Sequence, residues 1–543
     1  MTSLPDRLAR LEPDIQRLMD IGGTPGVSLG VMTYGHLLYY KGFGKSDVEK
    51  GLPMTENTIL PVGAMTKAVT AAAMGILVEE KKATWDTLVK DVIPDFDIND
   101  QTLKNDLTIT DLLSQRSGMS WSDNLLLGTE NNVLISHKNL MKHISRQTRL
   151  LPFRGQYSPN TLGYEVIGKV IEILSGQSFF DFVQNRIFNP LGMDRTFLRT
   201  PPSTIEDVGT TYNTLDDGTT VPITAVKMGD DWVGAPHGGM RSSVTDLMKL
   251  YSEFMVCYKN QLETGERSSP HSPLKQVPEL MSTRVPIDQP SMRETSYGRG
   301  WARVQLPGRM GHLGINADLM VEGMPVVCRG APSQLAVFHQ GSFPGAMSVV
   351  ILLPGMDVII VVSTNALALN DVADWIGQLV LEEVVMTFDN LRTDFIELAE
   401  ISKSENLKWY PELIDNLSRE QNKRTSPRPL EQYAGTYWDQ LRTFKIEVVL
   451  EDGQLYWLFQ GLDSEKFALK HYENDCFTWL APRNELLKRG RWVGWDQGLE
   501  FWQVSFQTGQ NGKVDTLLWS HDNGVPALEY KKAWELRGGY YSY

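Results

Sequence analysis

Residues 61–68 read Pro61-Val62-Gly63-Ala64-Met65-Thr66-Lys67-Ala68. Positions 64 and 67 are one helical turn apart and share a face. A serine at the first would place a hydroxyl within reach of the lysine amine at the second. A neutral amine there takes the hydroxyl proton and makes a weak nucleophile strong. Position 64 is alanine, so the pattern is that of an acyl-transfer helix without its attacking oxygen. Taken alone, Ala-x-x-Lys is ordinary and describes an amphipathic helix with a surface lysine. Two further stretches change that weighting. Tyr157-Ser158-Pro159-Asn160 supplies a phenol able to carry a proton and an amide able to hold a ligand, although without context it reads as a turn. His339-Gln340-Gly341-Ser342 places an imidazole with a tunable charge next to a glycine that lets a ligand approach the backbone. A lone strand histidine is more often structural, so the order of the motifs carries the argument.

The elements that must position these groups follow from periodicity. Residues 9–21 have helical apolar spacing. Residues 27–32 alternate like a strand, and 37–44 return as its hairpin partner through a turn at Tyr34-Gly35-His36. Residues 64–80 are rich in Ala, Met, Leu and Glu and predict a long, largely buried helix. Further helices are predicted over 108–116, 164–175 and from the Ser242-Ser243 cap to about Tyr258. Strands return at 336–341, 347–353 and 357–364, and a helix follows over 372–388. Strands at both ends of this region bracket a helical middle. The expected fold is α+β: an antiparallel sheet flanked by helices, with a mostly helical lobe inserted. Residues 418–429 are a polar linker. Beyond it, short strands separated by turns such as Asp452-Gly453 and Asn511-Gly512 predict a small β-barrel rich in Trp and Tyr. The expected organisation is thus a first domain over 1–417, a linker over 418–429 and a barrel-like domain over 430–543.

The chain has 543 residues, 41% hydrophobic and 22% charged, with a net charge of −14. This is an ordinary globular balance with material for more than one core. An acidic chain without a basic tract argues against nucleic acid or an anionic membrane as partner. No run approaches the roughly 18 apolar residues of a transmembrane helix. The first residues lack the apolar run of a signal peptide, and Cys257, Cys328 and Cys476 are too few and too scattered for a disulfide framework. A cytoplasmic protein is expected. No His or Cys spacing suits a metal, and no phosphate loop is present, so no cofactor is expected.

With these pieces in order, residues 21–390 resemble the serine β-lactamase and penicillin-binding-protein superfamily, in its class C-like esterase and transesterase branch. The likeness rests on Pro25-Gly26-Val27-Ser28, Gly63-Ala64-Met65-Thr66-Lys67 and Ile109-Thr110-Asp111-Leu112-Leu113-Ser114-Gln115-Arg116-Ser117-Gly118. Pro190-Leu191-Gly192-Met193, Gly238-Gly239-Met240-Arg241-Ser242-Ser243 and His339-Gln340-Gly341 with Pro344-Gly345 extend it. The C-terminal part is similar to small β-domains appended to some members. The resemblance implies that position 64 is the nucleophile's, with Lys67, Tyr157 and His339 as catalytic partners. It implies an oxyanion hole from the backbone N–H groups of Ala64 and Ser342. Asn160, Gln340 and Gly341 are the implied ligand-binding residues, although Asn160 sits one residue late and Ser158 could take its place. Trp301, in Tyr297-Gly298-Arg299-Gly300-Trp301, and Trp121 match cleft-lining regions, with a core tryptophan as the alternative for Trp301. The long stretch 305–335 is expected to cover the site.

The implied function is a serine-type hydrolase or acyltransferase acting on a small-molecule acyl substrate. Alanine at 64 is explained either by a substitution made to trap a ligand or by a natural non-catalytic binding protein, and the retention of every other element favours the first. Homo-oligomer formation is left open.

Overall fold

Val27, Leu29 and Val31 alternate with Ser28 and Gly30, and the chain pairs them as a strand. The protein is seen here in a computed structural model that describes residues 3–33 and 35–534. Tyr34 of the expected turn, and residues 535–543 of the expected barrel domain, lie outside the described residues. The strands of the main sheet are β1 (Gly26–Thr33), β2 (His36–Asp47), β3 (Leu52–Pro53), β4 (Val285–Pro286), β5 (Thr295–Tyr297), β6 (Ala302–Leu306), β7 (Gln334–Phe343), β8 (Ala346–Leu353) and β9 (Val358–Thr364). They lie in the order β3-β2-β1-β9-β8-β7-β6-β5-β4. The N-terminal hairpin therefore joins the late strands, with Val27 opposite Thr364 and Val31 opposite Ile360.

The helices that bear on the site are α1 (Glu12–Gly22), α2 (Thr66–Glu79), α3 (Ile109–Leu113), α4 (Thr161–Ser175), α5 (Val244–Thr264), α6 (Val372–Val384) and α7 (Phe395–Glu420). Glycines bring helices close to each face of the sheet. A Cβ on Gly30 would lie 2.7 Å from Val244 of α5. On the other face, a Cβ on Gly377 of α6 would lie 2.9 Å from Val349 of β8. The periodicity placed the start of α2 at 64, but Gly63–Met65 form a 3-10 turn and the α-helix begins at Thr66. Every residue from Thr66 to Leu77 is buried. That explains a helix apolar on nearly all sides: it is a central strut, with no solvent face to require polar residues.

By contacts the chain divides into two compact units, Met1–Ser120 with Gln147–Leu407, and Trp121–Arg146 with Lys408–Tyr543. The division falls inside α7. The second unit is a closed barrel of eight strands between Gly435 and Lys532. Closure removes the unpaired edges that an open sheet would expose. Its interior is filled by rings, with Trp457 and Trp519 at 5.2 Å between centroids and Phe459 stacked on Trp519 at 5.0 Å. The excursion 121–146 is sewn to this unit. The Thr129 N–H donates to Glu465 at 2.7 Å, Asn124 donates to Asp522, and Arg146 pairs with Asp439 at 2.5 Å.

Arg491 is buried over Trp479 and lies 3.7 Å from Glu465. Burial brings its guanidinium down to about 10, against the opposing pull of Glu465. Removing one partner of such a pair strands the other charge. Glu465→Ala is expected to cost about 3 kcal/mol or more in urea unfolding. A loss below about 1 kcal/mol would show that the pair is not stabilising.

Candidate active site

Gly63, at φ +56°, turns the chain into α2, and Ala64 stands at that turn. Three bonds hold the corner. Val62 N–H donates to Met240 O at 3.0 Å, Thr66 Oγ1 donates to Gly63 O at 2.7 Å, and Ser348 Oγ donates to Val62 O at 3.0 Å. Strand β7 passes so close that no side chain fits between. A Cβ on Gly341 would lie 2.1 Å from Val62 O and 3.0 Å from Ala64 N, and one on Gly63 would lie 3.1 Å from Ser342 N. The backbone N–H groups of Ala64 and Ser342 thus sit on two adjoining segments, a geometry in which two donors can aim at one developing negative oxygen.

Lys67, one turn further on, is buried among side chains rather than lying on the surface. Its Nζ donates to Gln115 Oε1 at 3.0 Å and lies 5.3 Å from the centre of the Tyr164 ring, a cation–π distance. The same Oε1 accepts the Asn160 N–H at 2.9 Å, and Gln115 Nε2 faces the Tyr157 hydroxyl at 3.5 Å. Tyr157 keeps part of its surface open. Its hydroxyl is pushed well up by burial and by Tyr297, against the opposing N–H of Gln115.

The imidazole of His339 does not bond Tyr157. It meets the Tyr297 hydroxyl through Nε2 at 2.9 Å, and its Nδ1 lies 2.9 Å from Gln340 O and 3.0 Å from Gln340 N. Tyr297 in turn packs on Tyr157, with ring centroids 5.1 Å apart. Burial, and secondly the charge of Lys67, bring His339 down to about 3. The tunable positive charge expected of it is therefore absent at neutral pH, and His339 is a neutral hydrogen-bonding group. Lys67 is linked to Tyr157 by Gln115, and Tyr157 to His339 by Tyr297; neither linking residue is among those the sequence singles out. The signals were present. Gln115 lies in Ser114-Gln115-Arg116-Ser117-Gly118, and Tyr297 opens the pentapeptide that ends in Trp301.

Other expected residues lie elsewhere. Asn160 caps α4, and its amide donates to Met119 O at 2.8 Å and Ser120 O at 3.0 Å. Gln340 alternates with His339 and so points to the α6 face of the sheet, where its Oε1 accepts the Leu313 N–H at 3.1 Å. The stretch 305–335 is anchored on that face too, since Asn316 donates to Asp371 O and to Asp374, each at 2.9 Å. Trp301 is a core residue, edge-on to Tyr251 and Phe254 of α5. Trp121 belongs to the second unit, where its Nε1 donates to Asn523 O at 3.0 Å. Among the described residues, no group of three or more His, Cys, Asp or Glu is placed to hold a metal ion, and no helix is long and apolar enough to cross a membrane.

One buried carboxylate orders the loops that carry Gln115 and Tyr157. Asp111 accepts from Thr108 in a capping box, from Arg116 Nε at 2.8 Å and from Arg154 Nη2 at 2.9 Å. Burial pushes its carboxyl up, but the bonds from Arg154, Thr108 and Arg116 outweigh this and hold it below the ordinary range. A lowered carboxyl contributes stability above its unfolded value, near 3.9, and loses it as pH falls through the folded value. Asp111→Ala is expected to cost about 3 kcal/mol at pH 7. The deficit should shrink on acidification below about pH 4. Denaturant unfolding at pH 7 and pH 3 checks both; an equal deficit at the two pH values would refute the charge assignment.

Comparison with known proteins places the chain in a family. The family described as Beta-lactamase matches residues 11–382, more than half of the chain, and a domain of unknown function, DUF3471, matches 419–534. The chain belongs to the beta-lactamase family, within the β-lactamase and penicillin-binding-protein superfamily. It is 30% identical over 189 residues to an unguisins hydrolase of Aspergillus campestris, a stretch covering 34% of this chain and 35% of that protein. The chain thus spans about a third of the length of that relative. It is 23% identical over 352 residues to penicillin-binding protein 4 of Amycolatopsis lactamdurans, covering 63% of this chain and 81% of that one. In fold it is similar to the octameric penicillin-binding protein homologue from Pyrococcus abyssi, with a TM-score of 0.56, 20% identity and coverage of 96% and 99%.

Proposed function

We propose that this site is built for acyl transfer through position 64, and that the chain with Ala64 holds acyl ligands without forming a covalent intermediate. With serine at 64, Oγ would bond the acyl carbon while the bond to the leaving group breaks. Lys67 would take the hydroxyl proton, and Tyr157 would return one to the leaving group. Water or another acceptor would then attack in the same way and restore the serine. The observation that supports this reading is the close approach of β7 to the α2 corner, where a Cβ on Gly341 would lie 3.0 Å from Ala64 N, together with the Gln115 contacts to Lys67 and Tyr157. Relatives named as a hydrolase and a penicillin-binding protein support the hydrolase and acyltransferase class. The substrate is a small-molecule ester or amide.

The test is intact mass of the Ala64→Ser chain after a fluorophosphonate probe, with the adduct mapped to residues 61–68. The serine chain should be labelled and the Ala64 chain should not. An unlabelled serine chain would reject the reading. A second reading, favoured by the alanine itself, is a non-catalytic binding protein of the same fold. Under that reading Ala64→Ser would bind ligand no differently and would gain no turnover.

A further inference from the structure

We propose that Gln115, rather than Asn160, is the positioning residue that holds Lys67 and Tyr157 in register for proton transfer at position 64. The inference rests on the acyl-transfer reading above and adds to it a residue with a defined task.

Asn160 is committed elsewhere. An amide nitrogen carries two hydrogens, and those of Asn160 go to Met119 O and Ser120 O, while its Oδ1 accepts the Gly163 N–H at 3.3 Å as the cap of α4. Gln115 is oriented without ambiguity. A backbone N–H can only donate, so the Gln115 atom that meets Asn160 N is the oxygen, and Nε2 must face Tyr157. The oxygen's two lone pairs then serve Asn160 N–H and Lys67 Nζ. The N–H toward Tyr157 makes the phenol oxygen an acceptor, which leaves the phenol's own hydrogen for another partner. At 3.5 Å this contact is at the long end of a hydrogen bond.

The backbone supports the same conclusion. Gln115 sits at φ +55°, a conformation that residues with a Cβ adopt at a cost, and such positions persist where their surroundings over-determine them. Here the surroundings do so. Ser158 N–H donates to Gln115 O at 2.8 Å, Arg154 N–H donates to Arg116 O at 2.8 Å, and Arg116 and Arg154 both clasp Asp111. The charged and titratable groups around the amide are Lys67, Tyr157, Tyr164, Tyr297 and His339, with the Asp111, Arg116 and Arg154 cluster behind it.

Gln115→Glu tests the assignment because it keeps the shape and replaces the amide by a carboxylate. A carboxylate there favours protonated Lys67 and disfavours ionised Tyr157, so both groups move the same way. In the Ala64→Ser chain, the pH midpoint of fluorophosphonate labelling should move alkaline by at least one unit, and the rate at pH 7 should fall roughly 10- to 100-fold. A loss of rate with an unmoved midpoint would mark Gln115 as merely structural and overturn the proposal. If Gln115→Glu does not fold, Gln115→Met, of similar length without the amide, should still lose at least about tenfold in rate; an unchanged rate would overturn it.

A second arm does not depend on acyl transfer. In an Ala64→Cys chain, the thiolate is favoured by the nearby Lys67 charge. Adding Gln115→Glu should therefore move the midpoint of iodoacetamide alkylation to higher pH. An unmoved midpoint overturns the Gln115 assignment even if the serine chain proves unreactive, whereas an unlabelled serine chain with a moved alkylation midpoint would reject only the acyl-transfer reading.

Discussion

Replacing Ala64 by serine is expected to raise turnover of an activated ester by about 10⁴- to 10⁶-fold, the range lost when the nucleophile of a hydroxyl acyl-enzyme is removed. The size of the effect follows from what is already in place. The Ala64 and Ser342 backbone donors, the buried Lys67 amine and Tyr157 stand in the first unit without the hydroxyl. Donors and binding alone leave a residual acceleration of about 10³–10⁴ over water. The serine chain should therefore start from a measurable baseline, with the gain appearing in kcat. Steady-state hydrolysis of a p-nitrophenyl ester, with and without the substitution, checks this. A gain below about tenfold would mean that the pocket does not activate a hydroxyl at position 64. In that serine background, the neutral state of His339 also predicts no acidic limb from its protonation between pH 5 and 8.

The second large effect is expected from adding one methyl group. Gly341→Ala would place a carbon 2.1 Å from Val62 O and 3.0 Å from Ala64 N. Neither contact can be relieved by a side-chain rotation, since both atoms belong to the backbone. Gly341 lies in a regular strand opposite Ser348, so the cost is steric and not conformational. The α2 corner and β7 must separate, which should cost about 1–3 kcal/mol by the usual scale of overpacking. The same separation moves Ala64 N and Ser342 N apart. In the Ala64→Ser chain this should lower acylation by about 10²–10³-fold, the usual loss of one oxyanion donor. Ser342→Ala serves as the comparison, since it keeps the N–H and adds nothing at the corner. If Gly341→Ala labels as fast as its parent, the two segments do not jointly form the oxyanion site.

Much of this was readable before folding. Alternating Val27, Leu29 and Val31 mark a strand by their period, and the short β-branched apolar runs at 347–353 and 357–364 are read as strands from their length and the Pro354-Gly355 turn between them. The residues Lys67, Tyr157 and His339 could be singled out from the order of their motifs, and the fold links them through Gln115 and Tyr297. Local spacing could not reveal which side chains mediate between them. Gln115 reaches Lys67 across 48 positions and Tyr297 reaches His339 across 42. Each could be read only as part of a motif. Asn160 and Gln340 show the opposite case. Both stand in the expected segments, yet a helix cap claims one amide and strand alternation turns the other to the α6 face.

The excursion 121–146 shows the same limit on a larger scale. Asn124 finds Asp522 from 398 positions away, and no composition shift marks the segment as part of the second unit. The sequence by itself determined the strands and the central buried helix, and the aromatic character of the barrel. These properties depend on periodicity and residue chemistry, which are local. Tertiary structure alone decided the charge state of His339, the partners of Lys67 and the association of 121–146 with the barrel. Each of these depends on desolvation or hydrogen bonding by residues far away in the chain, and burial and contact exist only once the chain has closed on itself.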